Sequence, residues 1–302
     1  PAPVENNPNM QHLGSERLIQ ELNFFRNSQN MNRLYVHRMI FYQNNLIFLL
    51  EDSTFLFVYN FESKQFLDRE QKSIGNKIDS FISLGFSKVG NVPGEQLVLA
   101  YNKFNELQVK STSCIGLISV ASMFGGTNPF EIEVSEEVPI SLFHVSESAI
   151  ACVLDRTIQS AKGPSSSSVL RVYSLVSIKE SELERLASSL PQAMLDTPVS
   201  ERISAVNSFQ AFVLWGTERG NVGMIDAASG GITHLGEMIR DEILYLSVIE
   251  LGGAPQFLLV GRTGKVVVRN REQQVFALEF PQRVEKATSV RVKEGLTKQA
   301  IC

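Results

Sequence analysis

Cysteine is scarce in this 302-residue chain, which carries 3 in all, and Cys114, Cys152 and Cys302 stand far apart. None has a Cys or His nearby at metal-ligand spacing, so neither a disulfide framework nor a zinc ribbon is available. The sparse, odd count fits a reducing compartment, and Cys152, inside AIACVL, reads as a small core residue. Tryptophan is scarcer still, with Trp215 alone. Charge of one sign is not massed: 28 Lys and Arg stand against 32 Asp and Glu, for a formal net charge of -4. That balance disfavours direct nucleic-acid contact and leaves room only for a local basic rim. No apolar run reaches the roughly 18 to 20 residues of a membrane span. Even Asn45 to Asn60 is interrupted by Glu51, Asp52, Ser53 and Thr54.

Catalytic motifs are missing as well. There is no Gly-x-Ser-x-Gly elbow, no His-Glu-x-x-His and no phosphate-binding Gly-x-x-x-x-Gly-Lys-Ser/Thr, and GNVPG at Gly90 to Gly94 reads as a hairpin loop. His12 falls in a polar tail, while His37, His144 and His234 lie in or beside strand-like segments without carboxylates at a telling spacing. Asp226, Asp241 and Glu242 stand near turns rather than in a loop with alternating oxygen ligands. The sequence therefore implies no catalytic residue, no metal site, no cofactor and no small-molecule substrate.

What is present is a repeated unit. With 43% hydrophobic residues the chain can bury a large core. Its clearest pattern is AFVLWGTERGNVGMIDAASGGI, Ala211 to Ile232: a short apolar run, the turn Thr217 to Gly220, alternation through Val222, Met224 and Asp226, and a second turn. LIFLLEDSTFLFVYNFESKQF, from Leu46, repeats it. So does QFLLVGRTGKVVVRNREQQVFALEF, Gln256 to Phe280, with Arg219 and Arg262 read as occupying matching turn positions. Two further copies carry insertions. One is Gln96 to Tyr101 with Ile115 to Ser122, after a strand at Ile78 to Phe86. The other is Ala149 to Leu154 with Val169 to Leu175, after a strand at Ile140 to Val145. In the latter, SAKGPSSSS is expected to form a flexible surface loop.

The last residues of the third strands, Asn60, Ser122, Ser174, Asp226 and Asn270, recur at intervals of 62, 52, 52 and 44 residues. Blade repeats run at about 40 to 50 residues, so the earlier copies need insertions. One insertion, Ser177 to Leu195, is expected to be helical, with Leu183, Leu186 and Leu190 on one face before Pro191. The other, Met123 to Val138, is expected to be irregular or edge-like. Residues 1 to 30 read as a tail followed by a short helix from Ser15, and residues 31 to 302 as one β domain. The opening PAPVENNPNM has no initiator Met and no apolar signal core, and reads as the edge of a longer or processed chain.

WGTERGNVGMIDAASGGI, and more weakly LVGRTGKVVVRN, resemble blades of WD-repeat-like and quinoprotein-like β-propellers. In those, a Gly-x-x-x-Gly turn separates two inner strands and Asp or Asn ends the third. The chain departs from the WD pattern in lacking Gly-His and Trp-Asp dipeptides, since Gly216 follows Trp215. The resemblance implies an all-β propeller of four-stranded antiparallel blades, about six or seven in number with at least five visible. It further implies a non-catalytic scaffold, cytoplasmic or nuclear, that binds other protein subunits of a larger assembly. The assemblies that use such propellers include trafficking, nuclear-pore and ciliary complexes. A propeller enzyme with a channel site, or a propeller within a nucleic-acid-associated complex, is the alternative. The candidate partner-binding residues are Arg219 and Arg262, on one rim and suited to an acidic segment or a phosphate, and Trp215. Trp215 is either a ring packed between blades or an exposed anchor at the mouth of the ring.

Overall fold

The computed structural model describes residues 36–42, 44–50, 56–66, 78–87, 96–105, 110–119, 130–135, 138–160, 163–175, 194–284, 289–292 and 298–301. Among them every regular element is a strand, as the alternating patterns and short apolar runs require. None of the described residues forms a helix long and apolar enough to cross a membrane. The tail and the helix expected from Ser15 lie outside the described residues. So does the helix expected before Pro191 in the insertion from Ser177 to Leu195, and Met194 and Leu195, beyond that proline, open a strand.

Five four-stranded antiparallel sheets follow one another along the chain, each a meander in sequence order. The first holds β1 (Val36–Tyr42), β2 (Asn45–Leu50), β3 (Leu56–Asn60) and β4 (Gln65–Phe66). The second holds β5 (Ile78–Ser87), β6 (Gln96–Asn105), β7 (Lys110–Ser119) and β8 (Phe130–Ser135). The third holds β9 (Ile140–Val145), β10 (Ala149–Ser160), β11 (Gly163–Ser174) and β12 (Met194–Val199). The fourth holds β13 (Ile203–Phe209), β14 (Phe212–Thr217), β15 (Asn221–Asp226) and β16 (Ile232–Glu237). The fifth holds β17 (Ile243–Leu251), β18 (Ala254–Gly261), β19 (Lys265–Arg269) and β20 (Gln274–Glu279). A two-stranded hairpin follows, β21 (Ser289–Val292) with β22 (Lys298–Ile301). The first strand of each sheet touches the first strand of the next, β1 to β5, β5 to β9, β9 to β13 and β13 to β17. The sheets therefore radiate as blades from their first strands.

This stacking explains why the second strands read as continuous apolar runs. A middle blade is covered on both faces, so both alternating sets must be apolar. In β10, Ile150, Cys152 and Leu154 join the core shared with the second blade, while Ala149, Ala151 and Val153 join the core shared with the fourth. In β14 the same division sends Val213 and Trp215 toward the third blade and Leu214 toward the fifth.

Polar side chains stitch the blades together where the apolar cores end. Arg171 of β11 grips Asp196 of β12 with two nitrogens, at 2.7 and 2.6 Å, and also donates to the Val134 carbonyl of the preceding blade. Arg269 of β19 repeats the device, donating to the Met238 carbonyl of the blade before it at 2.9 Å. Between first strands, Ser204 Oγ donates to the Ile243 carbonyl at 2.7 Å and Asn207 Nδ2 to the Leu246 carbonyl at 2.7 Å. Charge-assisted bonds of the arginine kind contribute about 1.5 to 3 kcal/mol each.

Asn60, Asp226 and Asn270 mark the ends of third strands for a local reason. Each turns its side-chain oxygen onto the amides that follow: Asn60 Oδ1 accepts from Ser63 N at 2.7 Å, Asp226 Oδ1 from Ala228 N at 2.9 Å, and Asn270 Oδ1 from Glu272 N and Gln273 N at 2.8 Å. Such turns need a short polar side chain.

The expected flexible loop at SAKGPSSSS is overturned. Past Ser168, which still pairs with Val199 of β12, the ladder of β10 and β11 continues from Arg156↔Ser167 to Ser160↔Gly163, five further pairs that form a two-stranded arm. The ladder satisfies the backbone that a loop would leave to water. The stretch expected to be irregular or edge-like, Met123 to Val138, contains β8, the outer strand of its sheet.

Candidate functional site

The connections between second and third strands share one side of the blades with the connections between successive blades. In the fourth blade Glu218 N bonds to the Arg202 carbonyl at 3.0 Å, and in the fifth Arg262 N bonds to the Glu242 carbonyl at 2.9 Å. These paired bonds set the register between the two turns. Gly220 and Gly264 then correspond: their amides bond back to Thr217 and Gly261 at 3.1 Å, and their φ angles are 85° and 96°. A Cβ on Gly220 would stand 1.6 Å from the Ile239 carbonyl oxygen, so that position tolerates only glycine.

This register corrects the expectation about the arginines. Arg219 corresponds to Thr263, and Arg262 corresponds to Glu218. The two turns share their spacing from the last glycine and not from the first, because Gly216 lies within β14 and the turn itself starts at Thr217. The two arginines nevertheless meet in one place. Both line a cleft of about 750 Å³ between the fourth and fifth blades, with Arg240, Arg283 and Thr263. Glu218, Glu237, Asp241 and Glu242 complete the lining, so four guanidinium groups face four carboxylates.

Each blade's own carboxylate shapes the turn at this cleft. Glu201, two residues before Ile203 of β13, accepts from Thr217 Oγ1 at 2.6 Å and from Asn221 Nδ2 at 3.0 and 2.9 Å. Asp241, two residues before Ile243 of β17, accepts from Thr263 N at 2.8 Å and Thr263 Oγ1 at 2.7 Å. Glu242 adds a bidentate pair with Arg262, through Nε to Oε2 and through a second nitrogen to Oε1 at 2.8 Å. The Arg262 hydrogen bond holds the Glu242 carboxyl below the usual glutamate range, helped by the nearby charges of Arg202 and Arg283. Arg240 pairs with Glu237 at 3.1 Å. The β10–β11 arm reaches the edge of the cleft, where Ser166 Oγ donates to Glu218 Oε1 at 3.3 Å.

Trp215 is not at a mouth or rim. Its indole is 2% exposed, in the core between the third and fourth blades, with Gly223 beneath it and the His234 ring edge-on at 5.9 Å. A ring so enclosed offers a partner no surface, so the packed reading holds and the anchor reading falls. Among the described residues no three His, Cys, Asp or Glu side chains converge to hold a metal ion. Arg283 and Arg240 escape a sequence reading because neither lies in a repeated turn; only a known blade register places them beside Arg219.

No family model and no curated protein matches the chain. Solved structures do match it, 570 chains of them. The Dos1 propeller superposes with a TM-score of 0.54 at 11% identity, over 84% of this chain and 62% of that one. Raptor of Chaetomium thermophilum superposes with a TM-score of 0.51 at 11% identity, over 82% of this chain and 21% of that one. The fold is a β-propeller of four-stranded antiparallel blades. At such identities the likeness extends to the fold alone, and a propeller hosts too many activities for the fold to specify one.

Proposed function

We propose that the chain is a non-catalytic protein-interaction scaffold, a propeller subunit of a larger intracellular assembly of the trafficking, nuclear-pore or ciliary type. The cleft between the fourth and fifth blades, which brings Arg219 and Arg262 together, is the observation that carries this reading. It is polar and charge-balanced, and it stands on turns held by carboxylates of the same blade. A rigid rim of this kind presents side chains to a partner at little ordering cost.

The chemistry of the cleft favours recognition over catalysis. A general acid or base at neutral pH needs a carboxyl raised toward the working pH. Glu242 is shifted the other way by its bond to Arg262. Asp241 is engaged by the Thr263 amide and hydroxyl.

The test is affinity purification of the full chain from its source followed by mass spectrometry, with Arg219→Glu in parallel. A partner recovered in stoichiometric amount by the unaltered chain and depleted by the variant supports the reading. Turnover of a small substrate by the purified chain, with no partner recovered, overturns it.

A further inference from the structure

The four arginines of the cleft are not equivalent. Arg262 is committed to Glu242 through two nitrogens, and Arg240 gives its Nε to Glu237 at 3.1 Å. Arg219 and Arg283 have neither a hydrogen bond nor an ion pair among the described residues, and both are exposed. A guanidinium group presents a planar fork that matches a carboxylate and sheds water more readily than an ammonium does. Resting on the interaction reading above, we propose that Arg219 and Arg283 are the receptor for side-chain carboxylates on an acidic peptide segment of a protein partner. Arg262 is then a positioning residue that holds Glu242 and its turn in place, while the exposed pair of Arg240 with Glu237 balances charge at the edge of the cleft.

The lining itself selects against other anions. Tight binding of nucleic acid needs a surface with an excess of positive charge along many phosphates. Here four arginines are balanced by four carboxylates, and the chain as a whole carries a formal net charge of -4. A polyanion laid across the cleft would meet Glu218 and Glu237 as often as Arg219 and Arg283. A peptide with a few spaced carboxylates can address the two unpaired arginines and leave the acidic positions to its amides or to a lysine. The β10–β11 arm meets the edge of the cleft at Glu218, through Ser166.

The experiment uses the full chain and fluorescence anisotropy at low ionic strength. Its probes are a fluorescein-labelled peptide of alternating Glu and Gly, the same peptide with Gln in place of Glu, and a labelled single-stranded DNA oligonucleotide. We expect the Glu peptide to bind, the Gln peptide not to bind, and the oligonucleotide to bind no better than the Gln peptide. The pair Arg219→Gln with Arg283→Gln should weaken the Glu peptide by about a hundredfold, on the basis of roughly tenfold for each lost charge contact. Glu218→Gln with Glu237→Gln should tighten it. Arg271→Gln, in the β19–β20 turn and outside the cleft, should leave it unchanged, and circular dichroism and melting confirm that each variant is folded. Affinity for the Glu peptide within twofold of the unaltered chain in the double arginine variant overturns the assignment. Binding of the oligonucleotide or the Gln peptide as tightly as the Glu peptide overturns it equally. A partner recovered alike by the unaltered chain and by the double variant ends this assignment alone, whereas recovery of no partner by the unaltered chain ends the interaction reading.

Discussion

Asp241 reaches the turn of its own blade only because position 261 is glycine: a Cβ there would lie 2.1 Å from Asp241 Oδ2. The carboxylate occupies that space and accepts both the amide and the hydroxyl of Thr263. Gly261→Ala would push the carboxylate away and leave both donors without it. We expect a loss of about 2 kcal/mol, in the range of overpacked sites, read as a lowered denaturant midpoint with unchanged m-value. Gly236→Ala is the comparison. It has a positive φ of 80° but nothing within 4 Å of the added carbon, so about 1 kcal/mol of backbone strain is the whole expected cost.

The blades were legible in the sequence because each is a local object. Strand, turn and strand follow one another within about 40 to 50 residues, and the capping residues Asn60, Asp226 and Asn270 act on amides two or three positions away. The arm of β10 and β11 was misread for a physical reason. A run of serines carries no hydrophobic alternation, so Ser165 to Ser168 look like a linker although each is paired. The cleft was half legible. Arg219 and Arg262 stood out as turn residues, but which arginine is neutralised depends on Glu242 and Glu237, which come from the last strand of one blade and the connection to the next. The Arg262 pairing spans 20 residues within one blade and is invisible until that sheet has formed.

Trp215 is the natural reporter of the interface between the third and fourth blades. As the single tryptophan, 2% exposed and lying where a Cβ on Gly223 would come within 2.2 Å of its ring, it gives an emission maximum that reads one packing contact. Native emission is expected at short wavelength and insensitive to acrylamide, with a red shift on unfolding. Trp215→Ala should cost about 3 to 5 kcal/mol, the range for deletion of a large buried ring. Strong quenching of the native chain would contradict the enclosed indole.

The thiols should be inert. Burial pushes Cys114 up to about 12, and complete burial raises Cys152 as well, so neither holds appreciable thiolate at pH 8. In a chain carrying Cys302→Ser, an aromatic disulfide reagent at pH 8 should release no colour from the native protein. Two equivalents should appear after denaturation, matching the two buried cysteines. Rapid native release would mean that the second or third blade opens locally.

Acid should loosen the cleft before it unfolds the blades. The hydrogen bond from Arg262 holds the folded carboxyl of Glu242 below its ordinary value of about 4.3. A depressed folded value means that the unfolded state binds the proton more readily. The stabilisation is therefore complete above the ordinary value and is lost as pH falls through the folded one. Glu242 is partly exposed, its side chain at 23%, so solvent screening keeps the contribution small. Melting temperatures measured between pH 6 and pH 3 should thus fall less steeply in Glu242→Gln than in the unaltered chain, and the two curves should converge at the acid end. Parallel curves throughout would show that the pair with Arg262 contributes nothing to stability in solution, and would remove Arg262 as the positioning residue of the cleft.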